Sequence, residues 1–237
     1  VAWWQGSPAQ SYIIGVTGTP RPFTQRRVVL WDAGNLQQLN DTPNLIFEDK
    51  QPTDYYFTKV AICTNGHRIA VGDSEGIVRI WDINIKEPQN SKLVIELESL
   101  NLPISDLVFL DHDGRWISFT HNGTQKTHVI NVYDINSDSL ATPIITDHSD
   151  YITRLAVNKD ITYLATASAD KTVRLWSLQL STDKAPKFNN PKILAGHTDI
   201  VTALSFHPSS MRLASGSHDR SIKIWDTETG IEVLTLW

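Results

Sequence analysis

The 237-residue chain has a single cysteine, Cys63, and a single methionine, Met211. One thiol excludes an internal disulfide and any zinc site built on paired cysteines. The eight histidines never fall at a metal-ligand spacing with that cysteine, and no glycine-rich phosphate loop is present. No apolar run approaches the ~18 residues of a membrane helix. A basic-then-apolar leader is also missing. Helical periodicity appears nowhere over a useful length. Charge of one sign is lacking too, with 21 Lys and Arg against 26 Asp and Glu for a net of −5. That balance withholds the basic face that nucleic acid requires. These absences predict a cytoplasmic chain with no cofactor, no metal, no membrane and no nucleic acid among its partners. A hydrophobic content of 41% and a mean hydropathy of −0.23 suit a folded core. A chain of this length buries roughly 70% of its unfolded surface. It opens on Val1, which suggests an excerpt of a longer polypeptide.

What is present is repetition. The segments RRVVLWD, GIVRIWD, HVINVYD, KTVRLWS and SIKIWD each end near an aromatic, at Trp31, Trp81, Tyr133, Trp176 and Trp225. The spacings are 50, 52, 43 and 49 residues. Apolar residues alternate, as Val78 and Ile80 do around Arg79, which is the period of a strand. Two more short strands precede each segment, and a fourth (LVIEL, TPIIT, PKILAG) opens each unit. Turn pairs such as Asn65-Gly66 and Asp113-Gly114 punctuate them. Four antiparallel strands repeated at this period predict the blades of an all-β propeller.

The last two units carry a histidine, a hydroxyl and an aspartate, the residue types of a nucleophilic triad. His197, Ser215 and Asp219 precede Trp225 by 28, 10 and 6 residues, and His148, Thr166 and Asp170 precede Trp176 by the same numbers. An enzyme rarely duplicates its catalytic apparatus at one spacing within a hundred residues, whereas a structural repeat does so routinely. A buried indole N–H needs an acceptor, and an imidazole held between hydroxyl and carboxylate ties one loop to another. Both sets read as structural.

With Gly196-His197 opening a unit and Trp225-Asp226 closing it, the chain resembles the WD40-repeat family over essentially its whole length. The resemblance implies a WD40 β-propeller of five four-stranded antiparallel blades, from a ring of about seven. The alternative is a closed five-bladed ring. Residues 1–32 form the inner three strands of blade 1, and residues 33–82 repeat 2. Residues 83–134 form a degenerate repeat 3, with 135–177 as repeat 4 and 178–226 as repeat 5. Residues 227–237 supply the outer strand of a next or closing blade. It also implies that His148, Thr166, Asp170 and Trp176, and His197, Ser215, Asp219 and Trp225, form hydrogen-bonded tetrads. In repeat 2, Thr53, Val71 and Glu75 take the tetrad positions. Blades without a tetrad are expected to hold by packing alone.

The resemblance further implies a non-catalytic scaffold or sensor module, such as the WD40 region of a larger bacterial signalling protein. It would bind a protein or peptide on the rim that carries the tetrad histidine and aspartate. The competing reading is a propeller hydrolase or lyase using channel residues. Carried over by position, the binding candidates are Tyr56, Thr58 and Ser74, then Tyr151, Thr153 and Ala169, then Ile200, Thr202 and His218. Tyr56 and Tyr151 are the preferred anchors, since tyrosine offers wide contact with a polar tip. The run Asp111–Gly114 faintly suggests a calcium loop but lacks the further ligands and reads as a turn. Arg21, Arg26, Arg27 and Phe23 make one basic–aromatic loop, read as solvated.

Overall fold

The computed structural model describes residues 2–5, 11–17, 26–32, 44–49, 55–84, 86–87, 90–97, 101–122, 128–141, 143–181 and 184–237. Every extended element among them is a β-strand, as the period-two pattern requires. The chain divides into two compact units, Val1–Arg115 and Trp116–Trp237.

In the first unit, β1 (Ala2–Gln5), β2 (Ser11–Thr17), β3 (Arg26–Asp32) and β4 (Asn44–Asp49) form one antiparallel sheet in chain order. A second sheet follows: β5 (Phe57–Ile62), β6 (Arg68–Asp73), β7 (Val78–Asp82) and β8 (Lys92–Leu97). The strand β9 (Ile104–Phe109) then packs on β5 and β6. Alternation in β7 is buried on both sides, because its sheet packs on the first sheet on one side and on β9 on the other. Register places Val16, Val28 and Phe47 on one face of the first sheet. They pack on Ile69, Val71 and Trp81 of the second, with the Phe47 and Trp81 rings 5.5 Å apart.

In the second unit, β10 (Trp116–His121) pairs with β11 (Val129–Asp134). β11 also carries two short outer pieces, β12 (Ser139–Leu140) and β13 (Ile144–Ile145). Next come β14 (Ile152–Val157), β15 (Tyr163–Ser168) and β16 (Thr172–Gln179), again with a divided outer edge. Its pieces are β17 (Lys187–Phe188) and β18 (Lys192–Ala195). The last sheet is β19 (Val201–Phe206), β20 (Arg212–Ser217), β21 (Ile222–Asp226) and β22 (Glu232–Leu236). One core joins these two sheets. Ala165, Ala167, Val173, Leu175 and Leu194 of the former meet Val201, Leu213 and Trp225 of the latter.

Repeat and sheet are offset by one strand. The strand that opens each repeat lies on the sheet of the repeat before it, as β8 lies on β7 and β18 on β16. Residues 227–237 therefore correct the sequence reading: β22 is the outer strand of the β19–β21 sheet, not of another blade. A tight turn is the cause. The Asp226 carboxylate accepts the amides of Glu228 and Thr229 at 3.0 and 2.8 Å. Gly230 takes the left-handed φ of 76° that returns the chain along β21.

Packing at Gly72 is close enough to admit no side chain. A Cβ on Gly72 would lie 2.6 Å from Ile104 Cγ2 and 2.7 Å from its Cβ. Gly72→Ala is expected to cost about 1–3 kcal/mol through overpacking, read as a lower urea midpoint. An unchanged midpoint would show that β9 yields without strain.

Candidate functional site

The two expected tetrads assemble. The loop before β14 brings His148 to the β15–β16 turn, where its Nδ1 lies 2.7 Å from Asp170 Oδ2. Its Nε2 lies 2.8 Å from Thr166 Oγ1 on β15. The same hydroxyl accepts the Trp176 indole N–H at 3.3 Å. In the next sheet, His197 Nδ1 meets Asp219 Oδ2 at 2.9 Å, and its Nε2 meets Ser215 Oγ at 2.8 Å. Trp225 donates to Ser215 Oγ at 2.8 Å. Each tetrad thus joins a loop, a turn and two strands.

The network is wider than four residues. Two positions before the aspartate, Ser168 and Ser217 donate to the carbonyls of Asp150 and Asp199, each at 2.9 Å. Their hydroxyls in turn accept the amides of Asp170 and Asp219 at 3.0 and 3.1 Å. Two positions after it, Thr172 and Ser221 donate to the aspartate Oδ1, each at 2.7 Å. Sequence reasoning missed these four, although the paired strings SADKT and SHDRS carry them at one spacing. Burial opposes the charge on Asp170, but His148 and Thr172 outweigh it and hold the carboxyl well below the usual range. For Asp219, burial is likewise outweighed, by Ser221, the Thr198 amide and His197.

This geometry answers the triad question. A nucleophilic hydroxyl must reach substrate, yet Thr166 is 0% and Ser215 1% exposed. Both hydroxyls are already shared between an imidazole and an indole, so their part is structural.

In the first unit the expected tetrad positions do not supply a network. Val71 is core, Glu75 is exposed and Thr53 lies outside the described residues. The expectation of packing alone is nonetheless overturned, because Asp73 is fully buried and accepts Arg79 Nη1 at 2.8 Å. Arg79 Nε reaches Glu96 at 2.7 Å, and its guanidinium lies 5.2 Å from the Tyr55 ring centroid. Asp73 stands eight residues before Trp81, as Ser168 and Ser217 stand before their tryptophans. A buried carboxylate there demands a cation, and Arg79 on the facing strand provides it. In the second unit Tyr133 replaces tryptophan, and its hydroxyl donates to Asp138 in the β11–β12 turn.

Among the binding candidates, three pairs share one backbone link: Ser74 N to Tyr56 O at 2.9 Å, Ala169 N to Tyr151 O at 3.0 Å, and His218 N to Ile200 O at 2.9 Å. Tyr56 and His218 are exposed, and Tyr151, Ile200, Thr202 and Ser74 are half-buried. Thr58 turns its hydroxyl onto Gly72 O at 3.1 Å. Two candidates are corrected. Thr153 is buried with its hydroxyl on Val201 O at 2.5 Å, and Ala169 is buried, so neither side chain is open to a partner. Asp111 accepts the Arg115 amide at 3.1 Å, closing a turn. Arg21 and Phe23 lie outside the described residues, and Arg27 is exposed.

The repeat described as "WD domain, G-beta repeat" matches residues 48–82, 137–177 and 188–226. The chain is 28% identical over 169 residues to "Target of rapamycin complex subunit LST8" of Bos taurus, across 68% of this chain and 48% of that protein. It is 30% identical over 109 residues to "Target of rapamycin complex subunit wat1" of Schizosaccharomyces pombe, across 45% and 33%. The matches thus span half or less of those relatives' length. A chain of the solved "Crystal Structure of Mitotic Checkpoint Complex" superposes with a TM-score of 0.68 at 20% identity, over 94% of this chain and 62% of that one.

Asp219→Ala or Asp170→Ala is expected to lower stability by about 1–3 kcal/mol, since buried partners are stranded, measured by chemical denaturation. Depressed folded-state carboxyls give stability that is present above the unfolded value of about 3.9. It is lost as pH falls through that value towards the folded one. The acid limb of a melting-temperature profile should therefore flatten in Asp170→Asn/Asp219→Asn. Arg79→Met should cost about 3–5 kcal/mol by leaving Asp73 buried and charged, and adding Asp73→Leu should recover much of that loss. Additive losses in that pair would refute the account.

Proposed function

We propose that this chain, which belongs to the WD40-repeat family and has its all-β propeller-type fold, is a non-catalytic platform for a protein or peptide partner. The observation that carries the reading is the closure of both tetrads. The hydroxyls that a hydrolase would need are sealed from solvent and spent on indole and imidazole. What such networks produce is rigid loops, and rigid scaffolds hold their binding residues on loops.

Three loop–turn pairs occupy equivalent backbone positions, Tyr56 with Ser74, Tyr151 with Ala169, and Ile200 with His218. We take the exposed and half-buried members of these pairs as the partner contacts. Tyr56 anchors the first unit and Tyr151 the second. The relatives are named as subunits of larger complexes, which suits a chain whose work is to be held by other proteins. A cytoplasmic regulatory region of a larger bacterial signalling protein, binding neither nucleic acid nor membrane, is the setting we propose. The competing reading is a propeller hydrolase or lyase that uses channel residues.

The test is to capture a partner with the 237-residue chain, assay the chain against a hydrolase panel, and change Tyr56 and Tyr151 to alanine, singly and together. Each change is expected to weaken binding by about 1–2 kcal/mol with melting unchanged. Turnover that survives repurification, or binding indifferent to both changes, would overturn the proposal.

A further inference from the structure

Each unit contains one kind of junction, closed in the first and open in the second. It lies where the turn that follows the first strand of one sheet meets the equivalent turn of the next strand system. In the first unit these are the turns after β5 and after β9, and hydrogen bonds cross between them. Thr64 Oγ1 lies 2.8 Å from His112 Nδ1, and the Asn65 amide donates to His112 O at 3.3 Å. Arg68 Nη1 donates to Gly114 O at 3.0 Å.

In the second unit the corresponding turns follow β14 and β19. Counting back from Tyr163 and Arg212, which open the next strands, Lys159 stands where Thr64 does and Asp160 where Asn65 does. Pro208 takes the place of His112, and Tyr163 that of Arg68. None of the crossing bonds has a counterpart among the described residues. A cleft of about 160 Å³ remains between the turns. Its inner wall is Tyr163 and Phe206, half-buried against the core that joins the two sheets. Exposed Pro208 and Met211 complete the apolar lining. At its edge, the Lys159 ammonium and the Asp160 amide make no hydrogen bond among the described residues. Both walls belong to sheets already packed on each other. The cleft lies at the ends of β14 and β19 opposite Tyr151 and Ile200, and so apart from the contacts proposed above.

We propose that this cleft takes an aromatic side chain from a peptide segment of a partner protein, whose main-chain carbonyl accepts the Asp160 amide. The volume suits one ring, since a cavity of about 150 Å³ admits benzene. Two aromatic walls offer edge or offset contacts, and the Met211 thioether is a favourable neighbour for a ring. Electrostatics agree, because an unpaired ammonium complements the negative face of a ring. Lys159 and Asp160 leave no net charge between them, so a charged side chain is not selected. A carbonyl on the Asp160 amide repeats what His112 supplies to Asn65 in the first unit.

Met211 is the sole methionine, so isotopic labelling of its methyl group gives one resonance from the cleft of the intact 237-residue chain. The chain is titrated with acetyl-Gly-Phe-Gly-amide, acetyl-Gly-Leu-Gly-amide and toluene. The phenylalanine peptide is expected to give a saturable ring-current shift, and to bind about threefold or more tightly than either of the others. Ser210→Trp, which fills the cleft from its exposed turn, should abolish the response with melting unchanged, and Ser210→Ala should keep it. No saturable shift, a leucine peptide or toluene that binds as tightly, or a response that persists in Ser210→Trp would each overturn the proposal.

Discussion

A tryptophan indole placed inside a sheet sandwich brings one N–H that water cannot reach, and the second unit is arranged around satisfying it. The acceptor is a hydroxyl one strand away, Thr166 for Trp176 and Ser215 for Trp225. That hydroxyl also needs a fixed orientation, which the imidazole provides. The imidazole is positioned by a carboxylate, and the carboxylate is held by turn amides and a further hydroxyl. Removing any member leaves the others buried and unpaired, so the chain of bonds is worth more than its parts. The loops at that end of each sheet are fixed as a consequence.

The first unit holds its corresponding turn with different chemistry. Trp81 still packs into the sandwich, but the polar link is an ion pair, Asp73 with Arg79, extended to Glu96 on the outer strand. An ion pair removed from water repays its desolvation only with good geometry and several hydrogen bonds. Asp73 has them, since it also accepts the amides of Glu75 and Ile77, each at 2.9 Å. The turn geometry is common to the units. Gly76, Lys171 and Arg220 stand five residues before their tryptophans, and all three adopt positive φ. Glycine takes that conformation without strain, whereas the two cations carry a modest cost. The turn is therefore set by the aspartate carboxylate and its amides more than by the residue at its tip.

The proposed function rests on rigid presentation of loops. The candidate contacts occupy backbone positions that recur from sheet to sheet with different side chains. Tyr56 is exposed, with its amide donating to Ser74 Oγ at 3.0 Å. Thr153, at the position aligned with Thr58, is withdrawn because a neighbouring sheet covers it. Equivalent sequence positions therefore differ in accessibility according to what packs beside them.

The sequence by itself determined the strands, their antiparallel order and both tetrads. Those features depend on local alternation and on spacings repeated in one chain, such as the 28, 10 and 6 residues before Trp176 and Trp225. The serines at 168 and 217 and the hydroxyls at 172 and 221 were equally present in the repeated strings, but their partners are mostly backbone atoms, which carry no residue-type signal. Only the tertiary structure decided the rest. It assigned β22 to the sheet before it, because one tight turn controls the hairpin. It paired Asp73 with Arg79, because residues six apart meet only once β6 and β7 are in register. It separated buried Thr153 and Ala169 from exposed Tyr56. Burial at those positions depends on which sheet packs against which face, and pairwise packing of distant strands is not written in any local pattern.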